Sequence, residues 1–216
     1  MASSRVGDSP ASFVADLAVA SIGGTFNQYA SDDPSLDQFG GSAVRAANLV
    51  RYLSERRRPR LMLVGEAPSY RGCRFSGLAF TSERSMPAPS WSSTNPNGWQ
   101  EPLATIVHRA LTNLGLDADT LLWNACPTHP AGATPLSNRP PTARELQQGR
   151  EWLGRLIELT QPTMIVAVGQ SARQSLAGHP VVRHPAHGGA SEFTAGLRRL
   201  LSEPTSGRGE GDRTDE

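Results

Sequence analysis

Residues 61–68 read LMLVGEAP, and this short apolar run indicates the fold class of the chain. An unbroken apolar run that stops at glycine and proline is typical of a strand buried on both faces of a parallel sheet. Similar runs follow at 121–125 (LLWNA) and 163–169 (TMIVAVG), and a shorter one, PVVR, lies at 180–183. Helical patterns alternate with these four runs. The alternation predicts an α/β fold, a single three-layer α/β/α domain around a four-stranded, mostly parallel sheet.

The helices between these strands have recognisable starts. Ser42 precedes one apolar stripe, and Thr142 with Glu145 three residues later forms a capping box before another. The two ends of the chain lack apolar periodicity. We therefore expect a folded domain over residues 15–202, a disordered tail over 1–14 and a disordered acidic tail over 203–216.

The composition excludes several kinds of chemistry. All 21 basic residues are arginine, so no lysine Schiff base, lysine-anchored pyridoxal phosphate or phosphate-binding loop ending in lysine is available. Residues 1–40 carry a net charge of −4 and the last 14 residues −3, which leaves +8 on the body of a chain whose total is +1. A basic body is compatible with a polyanionic partner. No apolar run approaches about 18 residues, and no signal peptide is evident, so we expect a cytoplasmic protein without membrane contact.

Polar side chains follow three of the four predicted strands. Glu66 comes after the first, Asn124 ends the second and His184 follows the fourth. Ligands of parallel α/β sheets bind outside the carboxyl ends of the strands. We therefore expect these three side chains to meet in one site.

The same residues lie in stretches that resemble the uracil-DNA glycosylase superfamily. The resemblance covers about residues 60–200, and its motifs come in the right order. The matching stretches are GEAPSYRGCRFSGLAF (65–80), LLWNA (121–125), NRPPT (138–142) with Glu145, VGQSA (168–172) and HPA (184–186). The opening of the first and the whole of the third are similar to the thermostable, family 4 branch.

This resemblance implies a monofunctional DNA glycosylase that flips and removes uracil, or a related deaminated base, and leaves an abasic site. Phe80 would stack on the base, and Asn124 would bind its pyrimidine edge. His184 would donate a hydrogen bond to O2 of the departing base, and Glu66 would orient or deprotonate the water. The backbone N–H of Ala67 would lie near the base. Without lysine, the lyase route through a Schiff base is closed.

Arginines in or beside the loops at the strand ends would bind the DNA backbone, because guanidinium groups match phosphate geometry. The candidates are Arg71, Arg74, Arg84, Arg139 and Arg183. His187 or Arg183 would fill the gap that the flipped base leaves in the helix. We expect a monomer that acts on bacterial DNA at the nucleoid, with no cofactor and no metal.

The chain also departs from the family pattern. Ala67 stands where another branch of the superfamily has an aspartate, and Ser69 aligns with the tyrosine that excludes the methyl group of thymine. The iron–sulfur cluster of the family 4 branch requires four cysteines, whereas this chain has two, and none near 149–150. The resemblance is therefore to a divergent member without the cluster.

Three other hypotheses remain open. Two pairs of residues have ligand-like spacing for a tetrahedral zinc site in a hydrolase. Those ligands would be Cys126, His129, His184 and His187. The missing aspartate favours a non-catalytic module that binds DNA or damaged bases. The small Ser69 favours a glycosylase for another deaminated base, such as hypoxanthine or xanthine.

Overall fold

The computed structural model describes residues 9–202, and its centre is a four-stranded parallel sheet. The strands are β1 (Leu61–Gly65), β2 (Thr120–Asn124), β3 (Met164–Val168) and β4 (Val181–Val182). Their order across the sheet is β2-β1-β3-β4, and every neighbouring pair is parallel. Gly65 is in register with Asn124, so the first two strands end side by side. The acidic tail predicted for 203–216 lies outside the described residues.

Seven α-helices accompany the sheet in the described part of the chain. They are α1 (Pro10–Ala18), α2 (Gly41–Glu55), α3 (Cys73–Ser76), α4 (Pro102–Asn113), α5 (Ala143–Thr160), α6 (Gln170–Arg173) and α7 (Ala190–Ser202). Short 3₁₀ turns lie at Glu83–Ser85, Ala88–Ser90 and Asp117–Asp119. Helices flank the sheet, which confirms the predicted three-layer α/β/α architecture. Within residues 9–202, no helix has the length and apolar character needed to cross a membrane.

The N-terminal tail predicted over residues 1–14 extends too far along the chain, because residues 10–14 belong to a helix. Helix α1 begins at Pro10, whose fixed φ suits the first turn of a helix. Phe13 is fully buried, and its ring lies 5.9 Å from that of Trp123 and 5.7 Å from that of Trp152. These long-range contacts stabilise the helix, and the local sequence does not predict them. Residues 1–8 of the predicted tail lie outside the part that the structure describes.

One of the two predicted helix caps is confirmed. The Thr142 side chain accepts from the Glu145 N–H, and the Glu145 carboxylate accepts from the Thr142 N–H, as in a capping box. Ser42, in contrast, is not the cap of α2, which begins one residue earlier after Gly40. The carboxylate of Asp32 accepts from the N–H groups of Gly40 (3.1 Å) and Ser42 (2.5 Å), so a distant side chain satisfies this end of the helix.

Glu145, the second residue of this capping box, also forms an ion pair that makes the stability of the fold depend on pH. Arg139 donates from both terminal nitrogens to the two carboxylate oxygens of Glu145, each at 2.7 Å. The hydrogen bonds from Arg139 are the main reason why the pKa of Glu145 falls to about 2. Because the folded pKa is depressed, this stabilisation is present above the ordinary carboxyl pKa near 4.5 and is lost as the pH falls towards 2.

We therefore expect Glu145→Gln to lower the free energy of unfolding at pH 7 by about 2–3 kcal/mol. The difference from wild type should shrink as the pH falls from 4.5 towards 2, because protonation removes the same charge from the wild-type side chain. Urea unfolding at pH 7, 4 and 2.5 measures this difference. Glu151→Gln, an exposed position on the same helix, is the control. A difference in the free energy of unfolding that stays constant with pH would contradict the role assigned to the ion pair between Arg139 and Glu145.

Candidate active site

A cleft of about 510 Å³ opens at the carboxyl ends of the strands. Glu66, Asn124 and His184 all line it, so the three side chains predicted to converge do meet in one cavity. Its other walls include Ala67, Ser69, Tyr70, Arg71, Phe80, Glu101 and Arg139. The parallel sheet explains the convergence, since the carboxyl ends of all four strands lie at one edge.

The base-recognition residues predicted from the sequence lie next to each other at the floor of the cleft. A Cβ on Gly65 would overlap the Phe80 ring and lie 3.0 Å from Oδ1 of Asn124, so the bare glycine makes room for both side chains. Phe80 adopts a left-handed φ of 50°, a strained backbone conformation for a bulky residue. Within residues 9–202, no group forms a hydrogen bond with the Asn124 amide, although this residue is only 6% exposed. Its donor and acceptor are therefore available to a ligand.

His184 is held as a neutral hydrogen-bond donor. The backbone N–H of Ala186 donates to its Nδ1 at 3.3 Å, so the ring proton resides on Nε2. Burial lowers the pKa of His184; His187 and Arg183 act in the same direction, and Glu66 opposes them. The neutral imidazole thus presents an Nε2–H group. Gly169, at the end of β3 with φ +84°, leaves space for the ring, since a Cβ there would lie 3.1 Å from Cβ of His184.

Glu66 and Ala67 form the wall that follows β1. The Glu66 carbonyl accepts from the Cys126 N–H at 2.9 Å, which fixes the backbone beside the end of β2. Its half-buried carboxylate has neither a hydrogen bond nor an ion pair to any other described residue. The N–H of Ala67 likewise has no acceptor within residues 9–202. Both groups are therefore free to act on a bound molecule.

Two arginines predicted to contact DNA lie away from the cleft. For Arg74 the prediction is wrong, because its side chain is only 2% exposed. Its terminal nitrogens donate to both carboxylate oxygens of Asp37 at 3.0 and 2.8 Å, and its guanidinium lies 4.2 Å from the ring centre of Phe26. Arg84 is exposed but donates to the Asn97 carbonyl at 2.9 Å, outside the cleft.

The remaining basic candidates lie at or near the mouth of the cleft. Arg71 and Arg139 line it, although both terminal nitrogens of Arg139 already contact Glu145. Arg183 is exposed and forms a 3.4 Å ion pair with Glu192 on the surface. His187 is exposed, with a left-handed φ of 52°, in the loop that carries His184. Their contacts with DNA remain predictions.

Glu101 is a cleft residue that the sequence analysis missed. It directly precedes α4 and is 8% exposed, and burial raises its pKa to about 7. A glutamate at the start of a helix is ordinarily solvated and favoured by the helix dipole. Nothing in the local sequence therefore distinguishes it from a surface residue.

The four side chains of the alternative zinc site do not converge. Nδ1 of His129 is 2.9 Å from the Pro68 carbonyl, and the Cys126 thiol donates to the Thr128 carbonyl at 3.4 Å. Across residues 9–202, no group of three or more histidine, cysteine or acidic side chains has an arrangement suited to a metal ion. The zinc-ligand hypothesis for Cys126 and His129 is therefore wrong.

Comparison with known proteins identifies the family of the chain. The family model of the uracil DNA glycosylase superfamily matches residues 53–207, which is more than half of the chain. The crystal structure of wild-type SMUG2 from Pedobacter heparinus is similar, with a TM-score of 0.58 and 12% identity, over 89% of this chain and 98% of that one. At this identity the likeness supports the fold alone. No curated protein sequence matches the chain. On the family match, this chain belongs to the uracil DNA glycosylase superfamily.

Proposed function

We propose that the chain is a monofunctional DNA glycosylase that flips uracil, or a related deaminated base, out of DNA and hydrolyses its N-glycosidic bond. The main support is the free amide of Asn124, which lies beside the Phe80 ring in the same cleft as Glu66 and His184. A base inside a duplex is out of reach of such a cleft, so the nucleotide must leave the stack. The cleft volume of about 510 Å³ accommodates an extruded base.

The amide of Asn124 matches the edge of uracil. Its carbonyl oxygen accepts from N3–H of the base, and its NH₂ group donates to O4. Cytosine offers the reverse pattern of donors and acceptors and would leave these buried groups unpaired, which disfavours its binding. The Phe80 ring would stack on the face of the base.

The bond-breaking step requires stabilisation of charge on both products. As the bond to the sugar lengthens, negative charge grows on O2 of the base, and the Nε2–H group of His184 donates a hydrogen bond to it. The Glu66 carboxylate orients or deprotonates the attacking water and stabilises the cationic sugar. The free N–H of Ala67 provides a further donor near the base. Because the chain has no lysine, the abasic product stays intact.

We further infer that the protein acts as a monomer in the bacterial cytoplasm, at the nucleoid. The charge of +8 on residues 41–202 favours association with DNA. Arg71, Arg139 and Arg183 would contact phosphates, and His187 or Arg183 would occupy the gap left by the flipped base.

A labelled oligonucleotide with a single uracil tests the proposal. It is incubated with the protein and a chelator, as a single strand and opposite G or A, and then treated with alkali. We expect strand breaks only after alkali, and none when cytosine or thymine replaces uracil. Absence of product on uracil, hypoxanthine and xanthine would overturn the proposal. Binding without cleavage would favour the non-catalytic module, which the alanine at position 67 supports.

A further inference from the structure

His129 is a buried histidine that the proposed reaction does not use. It is 1% exposed and lies in the segment that follows β2. Its backbone N–H donates to the Phe26 carbonyl at 2.9 Å, and its carbonyl accepts from the Phe26 N–H at 2.8 Å. Oε1 of Gln28 accepts from the same His129 N–H at 3.2 Å. The backbone is therefore fixed, and water does not compete for the hydrogen bonds of the imidazole.

The two ring nitrogens of this imidazole have different surroundings. Nδ1 is 2.9 Å from the Pro68 carbonyl oxygen, which can only accept, so the ring proton resides on Nδ1. Nε2 has no hydrogen-bond partner among residues 9–202, and burial lowers the pKa of the ring. A buried nitrogen without a partner costs free energy. An apolar side chain would avoid that cost, so packing alone does not account for a histidine at this position.

The Nδ1–H group continues the hydrogen bonding between the segments that follow β1 and β2. Within residues 9–202, the last main-chain bond between these segments runs from the Cys126 N–H to the Glu66 carbonyl at 2.9 Å. The residue after Cys126 is Pro127, which has no N–H to donate. The side chain of His129 supplies the next donor, and it reaches the carbonyl of Pro68.

The segment that this bond holds carries two reactive groups of the cleft wall. These are the Glu66 carboxylate and the Ala67 N–H, and Pro68 lines the cleft beside them. The bond from His129 is buried, whereas the next bond to a distant segment, from the Tyr70 N–H, lies at the exposed rim. Without the imidazole donor, the wall would be anchored to the interior at its Glu66 end alone.

We propose that His129 is a positioning residue for the bond-breaking step, which acts through the Pro68 carbonyl. Its Nδ1–H group holds the Glu66 carboxylate and the Ala67 N–H in the orientation that the reaction requires. The inference rests on the proposed glycosylase function and adds a residue to the same site. Displacement of a reacting group by about 1 Å can lower a rate by about 10²-fold, so a hydrogen bond behind the wall can govern the chemistry in front of it.

The test is single-turnover excision of uracil by variants that differ in the donor at position 129. In His129→Asn the amide Nδ2–H group takes the place of Nδ1–H, so the rate should stay within about fivefold of wild type. His129→Leu has a similar volume but no donor, and its rate should fall by about 30–100-fold. His179→Leu, at an exposed position, is the control and should retain the wild-type rate.

Binding of the base should be independent of this hydrogen bond, because Phe80 and Asn124 lie on other segments. The probe is an oligonucleotide with 2′-fluoro-2′-deoxyuridine, whose glycosidic bond resists cleavage. Its affinity for His129→Asn and His129→Leu should differ from that for wild type by less than about threefold. Loss of affinity in parallel with loss of rate would overturn the inference.

A double-mutant cycle with Glu66→Ala tests the route through the wall. If His129 acts through Glu66, His129→Leu should lower the rate of Glu66→Ala by less than about tenfold, in contrast to its effect on wild type. A general loosening of the fold would lower both rates by the same factor. Equal factors would therefore overturn the inference.

The remaining outcomes separate this inference from the proposed function. A rate for His129→Leu within threefold of wild type, or equal losses in His129→Leu and a folded His129→Asn, would overturn the inference, while uracil excision by wild type would still stand. If His129→Leu is unfolded by circular dichroism, His129→Gln takes its place, because its amide nitrogen lies at the position of Nε2. Failure of both to fold would assign His129 to stability alone and overturn the inference. A wild-type protein inactive on uracil, hypoxanthine and xanthine would instead overturn the proposed function.

Discussion

His184→Ala is expected to lower kcat for uracil excision by about 10²–10³-fold, the usual effect of removing one preorganised donor to a developing anion. The imidazole is already oriented before substrate arrives, because the Ala186 N–H donates to Nδ1 and leaves the proton on Nε2. Its lowered pKa keeps the ring neutral near pH 7, and only acidification should protonate it. Single-turnover rates on a uracil oligonucleotide measure the effect on the chemical step directly.

The control for this variant is His179→Ala, since His179 is an exposed histidine that does not line the cleft. Its rate should equal that of wild type. The affinity of His184→Ala for the uncleaved strand should change little, because the hydrogen bond to O2 strengthens only as the bond breaks. A rate for His184→Ala within threefold of wild type would contradict the assigned role.

Asp37→Ala is expected to lower the free energy of unfolding by about 3–5 kcal/mol, since it would leave two buried guanidinium groups without their shared carboxylate. The Asp37 side chain is fully buried, 2.8 Å from Arg74 and 3.1 Å from Arg45. Arg45 is itself fully buried, and its remaining donors reach backbone carbonyls, Ser92 and the carboxylate of Asp32. For a domain of this size, the loss corresponds to a decrease in Tm of roughly 6–20 °C.

Thermal unfolding followed by circular dichroism measures this effect. Asp119→Asn, at an exposed position, is the matched control and should change the free energy of unfolding by less than about 0.5 kcal/mol. A loss below about 1 kcal/mol for Asp37→Ala would show that water reaches the two arginines, contrary to their burial.

The sequence by itself determined the sheet and the place of the site. The apolar run 61–65 and its two counterparts correspond to β1, β2 and β3, because strands buried on both faces have no polar alternation to obscure them. The carboxyl ends of parallel strands lie at one edge of the sheet. The sequence alone therefore predicted that Glu66, Asn124 and His184 meet in one site. The capping box at Thr142 was equally evident, since its two residues are three positions apart.

Only the tertiary structure decided which charged side chains face the cleft and which are buried. Arg71 and Arg74 are only three positions apart in the sequence, yet the first is exposed while the second is paired with Asp37, 37 positions away along the chain. Glu101 was missed for the same reason, because its carboxyl group is buried against the bare Gly72 from a different loop. Burial and pairing depend on residues that are distant in sequence, and a local pattern carries no information about which of them will come into contact.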